Sequence, residues 1–413
     1  MRNAHLSFRL LWLSQALANL ADAYYIMALV TLLYKATGSA AYASTMPLLR
    51  VTSQMISGLL APWLLDRFSL KSILVASQTG QTLLLAALTF YAPLLWEGGF
   101  AIGFALVFAI SFLDGWTVPA RNALVPRLVK RDRLVRANSL ISTTDQIVLL
   151  AGWSTGGILV AWLGAEATLW INLTLFALSS VAIWFLRDPF QGEKPTGAAT
   201  GTVSRRGRMS EGWAMIWNHP LLRRVTLMDL TEMFAGVIWI AAISMVFVTE
   251  VLHQSTEWFG YINAGYYLGT LLGGILILRL SDRVQQRLIP AMITGSVINC
   301  LLTLLFTSIP FAPFALFLSV LMGPFYQLRD IAQRSLLQET VDNRSLPKVF
   351  AAHGTLMYGA FGLSVSIAGI LADAFGVRTV YYGAAVLLGI STWIGWSLRR
   401  SREPHCTMKQ EIS

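Results

Sequence analysis

Charge is what this chain lacks most: Asp, Glu, Lys and Arg make up 13% of 413 residues, where a soluble domain carries about 25%. A surface hydrated all round is therefore excluded. The 55% of residues that are hydrophobic must face something other than water. Cysteine is nearly absent as well, with Cys300 inside an apolar run and Cys406 near the C-terminus. Neither has a plausible partner, which excludes a disulfide framework and a thiolate metal site. No Lys-Ser or Lys-Thr follows the glycines of GYYLGTLLGG (265, 269, 273 and 274), so they are better explained as small residues for close helix contact than as a phosphate loop. No nucleophile, base and orienting group stand at recognisable spacing, and no metal-ligand cluster is present. The chain is expected to be neither an ATPase nor another enzyme, and to need no cofactor or metal.

What is present is a series of long apolar runs. A hydrocarbon layer of roughly 30 Å needs about 18 or more such residues in helical form, and runs of that length, unlike short alternating ones, exclude barrel strands. The expected fold class is all-α, with twelve membrane-spanning helices. The first six fall at about Phe8 to Leu33, Tyr42 to Leu65, Ser72 to Leu94, Phe100 to Val118, Asn138 to Leu163 and Thr168 to Phe185. The second six fall at about Val225 to Val248, Phe259 to Leu280, Leu288 to Ser308, Phe311 to Gln333, Val349 to Phe375 and Val380 to Leu398. Arg2 and Arg9 precede the first run, which continues to Leu33 and so reads as a retained span rather than a signal peptide.

The net charge of +10 is distributed in a way that argues for a lipid bilayer and against nucleic acid. Lys and Arg occupy every second loop, including Lys71, Arg131 and Arg206, while the alternate loops hold essentially Lys35 and Arg378. By the positive-inside rule both termini are cytoplasmic in a cell membrane. The longest polar interval, residues 187–224, reads as a cytoplasmic linker. It divides a six-span bundle at 1–186 from a second at 225–398, with a tail at 399–413. Within the linker, Glu211 to Asn218 suits either a short helix on the membrane surface or the polar start of the seventh span.

Two sets of six imply an internal repeat. Asp66-Arg67 closes the second span and Asp282-Arg283 the eighth, 216 positions later (282 − 66). Arg121-Asn-Ala-Leu and Arg334-Ser-Leu-Leu follow the fourth and tenth spans at an offset of 213 (334 − 121). With these landmarks in place, LLDRFSLKSIL resembles the loop signature of the major facilitator superfamily, which Asp66, Arg67 and Lys71 match. VPARNALVPRLVKRDRLVRANSL and EGWAMIWNHPLLRR are similar to segments of its branch of macrolide efflux proteins and enterobactin exporters. The resemblance implies a two-bundle transporter with a central cavity that alternates between the two sides of the membrane.

Ionisable groups within spans usually face the bundle interior. Asp22 in the first span and Arg50 in the second lie at depths only about 4 or 5 Å apart at 1.5 Å per residue, so they can pair. Such a pair is either a proton-sensitive coupling site or a permanent structural contact. Asp229 and Glu232 share a helix face; as neighbouring carboxylates they form a second candidate for proton or cation coupling, or for attracting a cationic substrate. Asp114, Arg121, Asp145, Arg329, Asp330 and Arg334 are expected to serve mainly as cytoplasmic latches, together with Asp66, Arg67, Lys71, Asp282 and Arg283. His353 is the one in-span histidine considered for titration. Tyr24, Tyr25, Trp116, Trp153, Trp239, Tyr266, Tyr267, Phe325 and Tyr326 could line an apolar cavity. The function expected is secondary export of an amphiphilic small molecule, a drug such as a macrolide or a siderophore, by a monomer driven by protons. The alternative is a lysophospholipid transporter or flippase.

Overall fold

The computed structural model describes residues 2–37, 40–65, 67–97, 99–188, 211–255 and 257–400, and these are almost wholly helical. The helices are α1 (Arg2–Thr37), α2 (Ala40–Leu65), α3 (Leu70–Tyr91), α4 (Phe100–Leu128), α5 (Leu134–Trp184), α6 (Glu211–Asn218), α7 (Pro220–Ala235), α8 (Ala241–Glu250), α9 (Glu257–Arg279), α10 (Ser281–Gln285), α11 (Leu288–Ser308), α12 (Ala312–Thr340), α13 (Leu346–Phe375) and α14 (Val377–Arg400). Among the described residues nine helical segments are long and apolar enough to cross a membrane, or ten if the bent pair α7 and α8 counts as one span.

Two features reconcile that count with twelve. α5 has 51 residues, about 75 Å of helix at 1.5 Å per residue, far beyond a single crossing. It is broken at Gly164, whose φ of 85° and ψ of 165° only glycine adopts freely. The expected fifth and sixth spans are thus two arms joined by one residue. α12 is long enough at 29 residues, but Arg329, Asp330 and Arg334 make it too polar to register as an apolar run. The expected seventh span, by contrast, is not one rod. α7 ends in a short turn of 3₁₀ helix at Gly236–Trp239, and Ile240 is extended at φ −70°, ψ 135° before α8 begins.

The positive φ recurs at Gly376, between α13 and α14, at 81°. It follows Gly164 by 212 positions (376 − 164), close to the offsets of the Asp-Arg and Arg landmarks. The junction between the last two spans of each set of six therefore repeats at backbone level.

The chain forms two compact units, and neither is a simple sequence half. The first comprises 1–131, 144–213 and 341–358; the second comprises 132–143, 214–340 and 359–413. The start of α5 thus belongs with the second unit and the start of α13 with the first. The core of the first unit is built on Leu29, Leu32, Leu85, Leu88 and Phe176. Its helices α2 and α4 touch closely: a Cβ on Gly115 would lie 2.6 Å from Ser57 Oγ. The second unit packs Phe247, Phe306, Leu318 and Tyr381 at its centre. There α9 meets α12 backbone to backbone, since a Cβ on Gly269 would sit 2.0 Å from the Val320 carbonyl oxygen and one on Gly273 2.4 Å from Pro324 Cα. The glycines of GYYLGTLLGG serve helix contact, as expected.

α6 is a separate helix rather than the start of the next span. Ile216 on it is fully buried, Glu211 pairs with Lys348 Nζ at 2.6 Å, and a Cβ on Gly212 would meet the Lys348 carbonyl oxygen at 2.4 Å. One face is therefore seated on protein at the start of α13.

Candidate functional site

Each unit places one arginine between two carboxylates inside its spans. In the first unit, Arg50 Nη2 on α2 donates to Asp22 Oδ2 on α1 at 2.5 Å and to Asp114 Oδ2 on α4 at 3.4 Å. Gln54, one turn along from Arg50, donates to the same Asp114 oxygen at 2.7 Å. The side chains of Asp22, Arg50 and Asp114 are 21%, 24% and 20% exposed, so the cluster is open on one side. Local packing sets this geometry: Ser53 and Ser57 on α2 donate to the carbonyls of Phe108 and Phe112 at 2.7 and 2.5 Å, and Trp116 Nε1 returns a bond to the Ser57 carbonyl at 3.2 Å. These bonds fix α4 against α2 in the register that brings Asp114 to Arg50.

In the second unit, Arg329 on α12 donates to Asp229 Oδ1 and places its Nε 2.9 Å from Glu232 Oε2. Gln333 donates to Asp229 Oδ2 at 2.5 Å. Ser296 on α11 and Ser391 on α14 both donate to Glu232 Oε1, at 2.9 and 2.7 Å. The arginine, Asp229 and Glu232 side chains are only 7%, 6% and 12% exposed.

The sequence-based pairing of Asp22 with Arg50 is thus present, as is the proximity of Asp229 and Glu232. Two residues expected at latches also join these clusters. Asp114 joins Arg50, and Arg329 joins Asp229 and Glu232; depth estimates along single helices do not reveal which helices cross at a given level. Asp66 lies outside the described residues. Arg67 stacks over the Trp63 ring with its guanidinium carbon 4.5 Å from the centroid, and Lys71 lies in the first turn of α3. Arg121 is buried on α4, 3.8 Å from Asp145, which also accepts from Asn19 Nδ2 at 2.7 Å. Arg334 pairs with Asp330 on its own helix at 3.1 Å. Asp282 and Arg283 are exposed in α10 and make no ion pair among the described residues.

A different set of residues, which the sequence did not single out, holds the exchanged segments. In the second unit, Gln285 Oε1 accepts from the backbone N–H of Val135 at 2.7 Å and Gln285 Nε2 donates to Glu339. Asn138 Nδ2 contacts Ser335 Oγ at 2.8 Å and Gln338 Oε1 at 2.7 Å, and Ser142 donates to Gln327 at 2.9 Å. In the first unit, Arg127 donates to the Asn343 carbonyl at 3.0 Å and lies 3.5 Å from the buried Asp188. The amides among them, Asn138, Gln285, Gln327 and Gln338, sit on helices and give no charge pattern to find them by.

The aromatic candidates divide. Trp239 stacks on Tyr266 at 4.4 Å between centroids, and Tyr326 lies 6.1 Å from Tyr266. Tyr24 shares a hydrogen bond of 2.9 Å with Thr155. Tyr25 is buried, its hydroxyl without a hydrogen-bond partner among the described residues. Trp153 is 45% exposed.

The family model described as Major Facilitator Superfamily matches residues 11–249 and 230–407. The chain belongs to that superfamily. It is 34% identical over 390 residues to the uncharacterized MFS-type transporter YfmI of Bacillus subtilis (strain 168), covering 93% of this chain and 94% of that one. To the multidrug efflux pump Tap of Mycolicibacterium fortuitum it is 26% identical over 378 residues, 88% and 90% of the two chains. Among solved structures it resembles the Escherichia coli fucose:proton symporter FucP with a TM-score of 0.78 at 14% identity, covering 96% and 99%. This superfamily member is accordingly a multi-pass membrane transporter of small molecules and not an enzyme.

Proposed function

We propose that the chain is a proton-coupled exporter of amphiphilic small molecules, working as a monomer by alternating access in the cell membrane with both termini cytoplasmic. The observation that carries this reading is the Asp22–Arg50–Asp114 cluster. One arginine serves two carboxylates within the spans, where an unmatched charge costs several kcal/mol. A proton taken up on one side and released on the other relieves that excess once per cycle. Likeness to the multidrug efflux pump Tap supports outward movement of drug-like molecules. The stacked Trp239 and Tyr266, with Tyr326 close by, offer a surface for apolar rings. In this reading Asp66, Arg67, Lys71, Arg121, Asp282 and Arg283 belong to the switch between facing states, along with the Gln285 and Arg127 contacts.

The test is a growth and accumulation screen across macrolides, dyes and siderophores in cells with and without the gene, repeated with the proton gradient collapsed. Gene-dependent efflux that stops with the gradient is the expected result. Efflux indifferent to the gradient, or none across the panel, removes the reading.

A second reading, movement of a lysophospholipid, draws on one feature. An apolar groove of about 390 Å³ lies between α3 and the second arm of α5, lined by Thr79, Thr82, Leu83, Ser180, Trp184 and Phe185. Trp184 and Phe185 are 60% and 70% exposed there. Gene-dependent movement of a labelled lysophospholipid in vesicles, without proton flux, would favour it.

A further inference from the structure

The groove between α3 and the second arm of α5 belongs wholly to the first unit. Ser180 at its base is buried, while Leu83 on one wall and Trp184 and Phe185 on the other are exposed. Ala177, Val181 and Trp184 recur at three- and four-residue intervals, so they share one face of α5. The polar residues of the same two helices turn the other way. Ser14 donates to Gln78 at 3.1 Å and meets Ser179 at 3.0 Å, and Gln81 donates to Ser77 at 3.0 Å, all buried inside the unit. Polar groups of membrane-spanning helices face the bundle interior, so the groove faces lipid. Its own hydroxyls are already paired: Thr82 and Ser180 share a bond of 2.7 Å, and Thr79 accepts from Trp184 Nε1 at 3.2 Å. What it offers an occupant is therefore hydrocarbon.

Two cations stand at one end of this groove. Lys71, in the first turn of α3, precedes Thr82 by 11 positions (82 − 71), about three turns, and so lies on the same side of the helix. Arg187 follows Phe185 by two positions and is exposed, its backbone N–H donating to Ser7 Oγ at 3.0 Å. The adjacent carboxylate, Asp188, is buried against Arg127 and leaves the charge of Arg187 uncancelled at the surface. Toward the other end, seven positions on from Leu83 and seven back from Ala177, Phe90 and Trp170 meet edge to face at 5.0 Å. The stripe from Trp184 to Trp170 runs about 20 Å, longer than half of a roughly 30 Å hydrocarbon layer. We propose that the groove seats a resident anionic phospholipid, with one acyl chain between α3 and α5 and the phosphate between Arg187 and Lys71. A zwitterionic lipid has the same chain but brings an ammonium of its own toward these cations. Held there, the lipid ties the end of α5 to the start of α3.

This lipid is a fixture and not cargo, so the proposal stands apart from the exporter reading and opposes the use of the groove as a lysophospholipid path. The test takes the purified full chain in detergent, stripped of lipid and then given phosphatidylglycerol or phosphatidylcholine with a photoreactive group on the acyl chain. Crosslinks from phosphatidylglycerol should concentrate at residues 79–90 and 170–187 and outnumber those from phosphatidylcholine. Arg187→Gln and Lys71→Gln should each lower that preference about fivefold, the worth of one basic residue beside an anionic lipid. Ala177→Phe, which fills the groove, should remove the crosslinks of both lipids there. Labelling of the unsubstituted chain that spreads evenly over its apolar helix faces overturns the proposal without any variant, and so does equal labelling by the two lipids. A dimer that Ala177→Phe converts to monomer makes the groove an interface between copies instead. A labelled lysophospholipid that displaces phosphatidylglycerol from the groove and is then carried across a vesicle membrane returns the groove to cargo and overturns the resident lipid.

Discussion

The side-chain oxygen of Gln285 accepts the backbone N–H of Val135 at 2.7 Å, capping the first turn of α5 from a short helix 150 positions away in sequence. The first N–H groups of a helix have no partner within it, and removing a side-chain acceptor typically costs about 1 kcal/mol. Gln285→Ala should therefore lower the melting temperature only slightly. Its larger effect should be faster amide exchange across residues 134–138, because Asn138 loses a neighbouring anchor as well. Unchanged exchange there would mean that Gln285 does not hold the start of α5.

Arg329 faces two carboxylates from a buried position, so losing it strands charge instead of merely losing a contact. Breaking a buried pair by removing one partner costs about 3–5 kcal/mol. Arg329→Gln should therefore express poorly or melt well below the unsubstituted chain, and Asp229→Asn in the same molecule should restore part of the loss. Equal stability of the single and double variants would show that the Arg329–Asp229 pair contributes nothing.

Gly164 and Gly376 carry the two positive φ values among the described glycines, and a Cβ at either would meet nothing within 4 Å. The expected penalty of Gly164→Ala is thus conformational only, about 1–3 kcal/mol. Gly269→Ala differs in kind, since its Cβ would press on a carbonyl oxygen and force α9 away from α12. Thermal unfolding should rank Gly269→Ala below both turn variants. The reverse order would mean that the α9–α12 crossing yields easily.

How much could be read in advance depended on the kind of signal. Span positions were legible because apolar runs are long, and the repeat was legible because Asp-Arg and Arg landmarks recur at fixed offsets. The Asp22–Arg50 pair followed from matched depths. The contacts of Asp114 with Arg50 and of Arg329 with Asp229 and Glu232 did not follow from depth, since a charge near a helix end in sequence can still meet a partner where α4 and α12 cross their neighbours. The break at Ile240 left no mark in hydropathy, because the residues on both sides are equally apolar. Gln285, Asn138 and Gln338 were invisible for a related reason: their contacts are hydrogen bonds between segments far apart in sequence, with no charge to betray them.

The loop charges make a statement about sidedness that side-chain chemistry can check. Single cysteines at Lys71 and Arg131 should resist an impermeant thiol reagent in intact cells, after Cys300 and Cys406 are replaced by serine. Cysteines at Lys35 and Arg378 should react. The residue at 206, which carries the same expectation, lies outside the described structure. Surface labelling at position 131 would overturn the assignment of both termini to the cytoplasm.

Asp22→Asn separates coupling from architecture. If Asp22 is the coupling acid, the amide keeps its shape and Arg50 retains Asp114 as its partner. The variant should then fold with little loss of melting temperature and bind substrate, while gradient-driven efflux stops. If the Asp22–Arg50 contact is only structural, Asp22→Asn should instead lose expression or stability because its short ion pair is gone and Arg50 keeps only Asp114, at 3.4 Å, while the molecules that fold keep gradient-driven efflux. Measuring melting temperature and efflux on the same preparations distinguishes the two outcomes. A well-folded Asp22→Asn protein that still drives efflux with the gradient would remove Asp22 from coupling and move the role to Glu232, an in-span acid with an arginine contact and two hydroxyl donors on one oxygen.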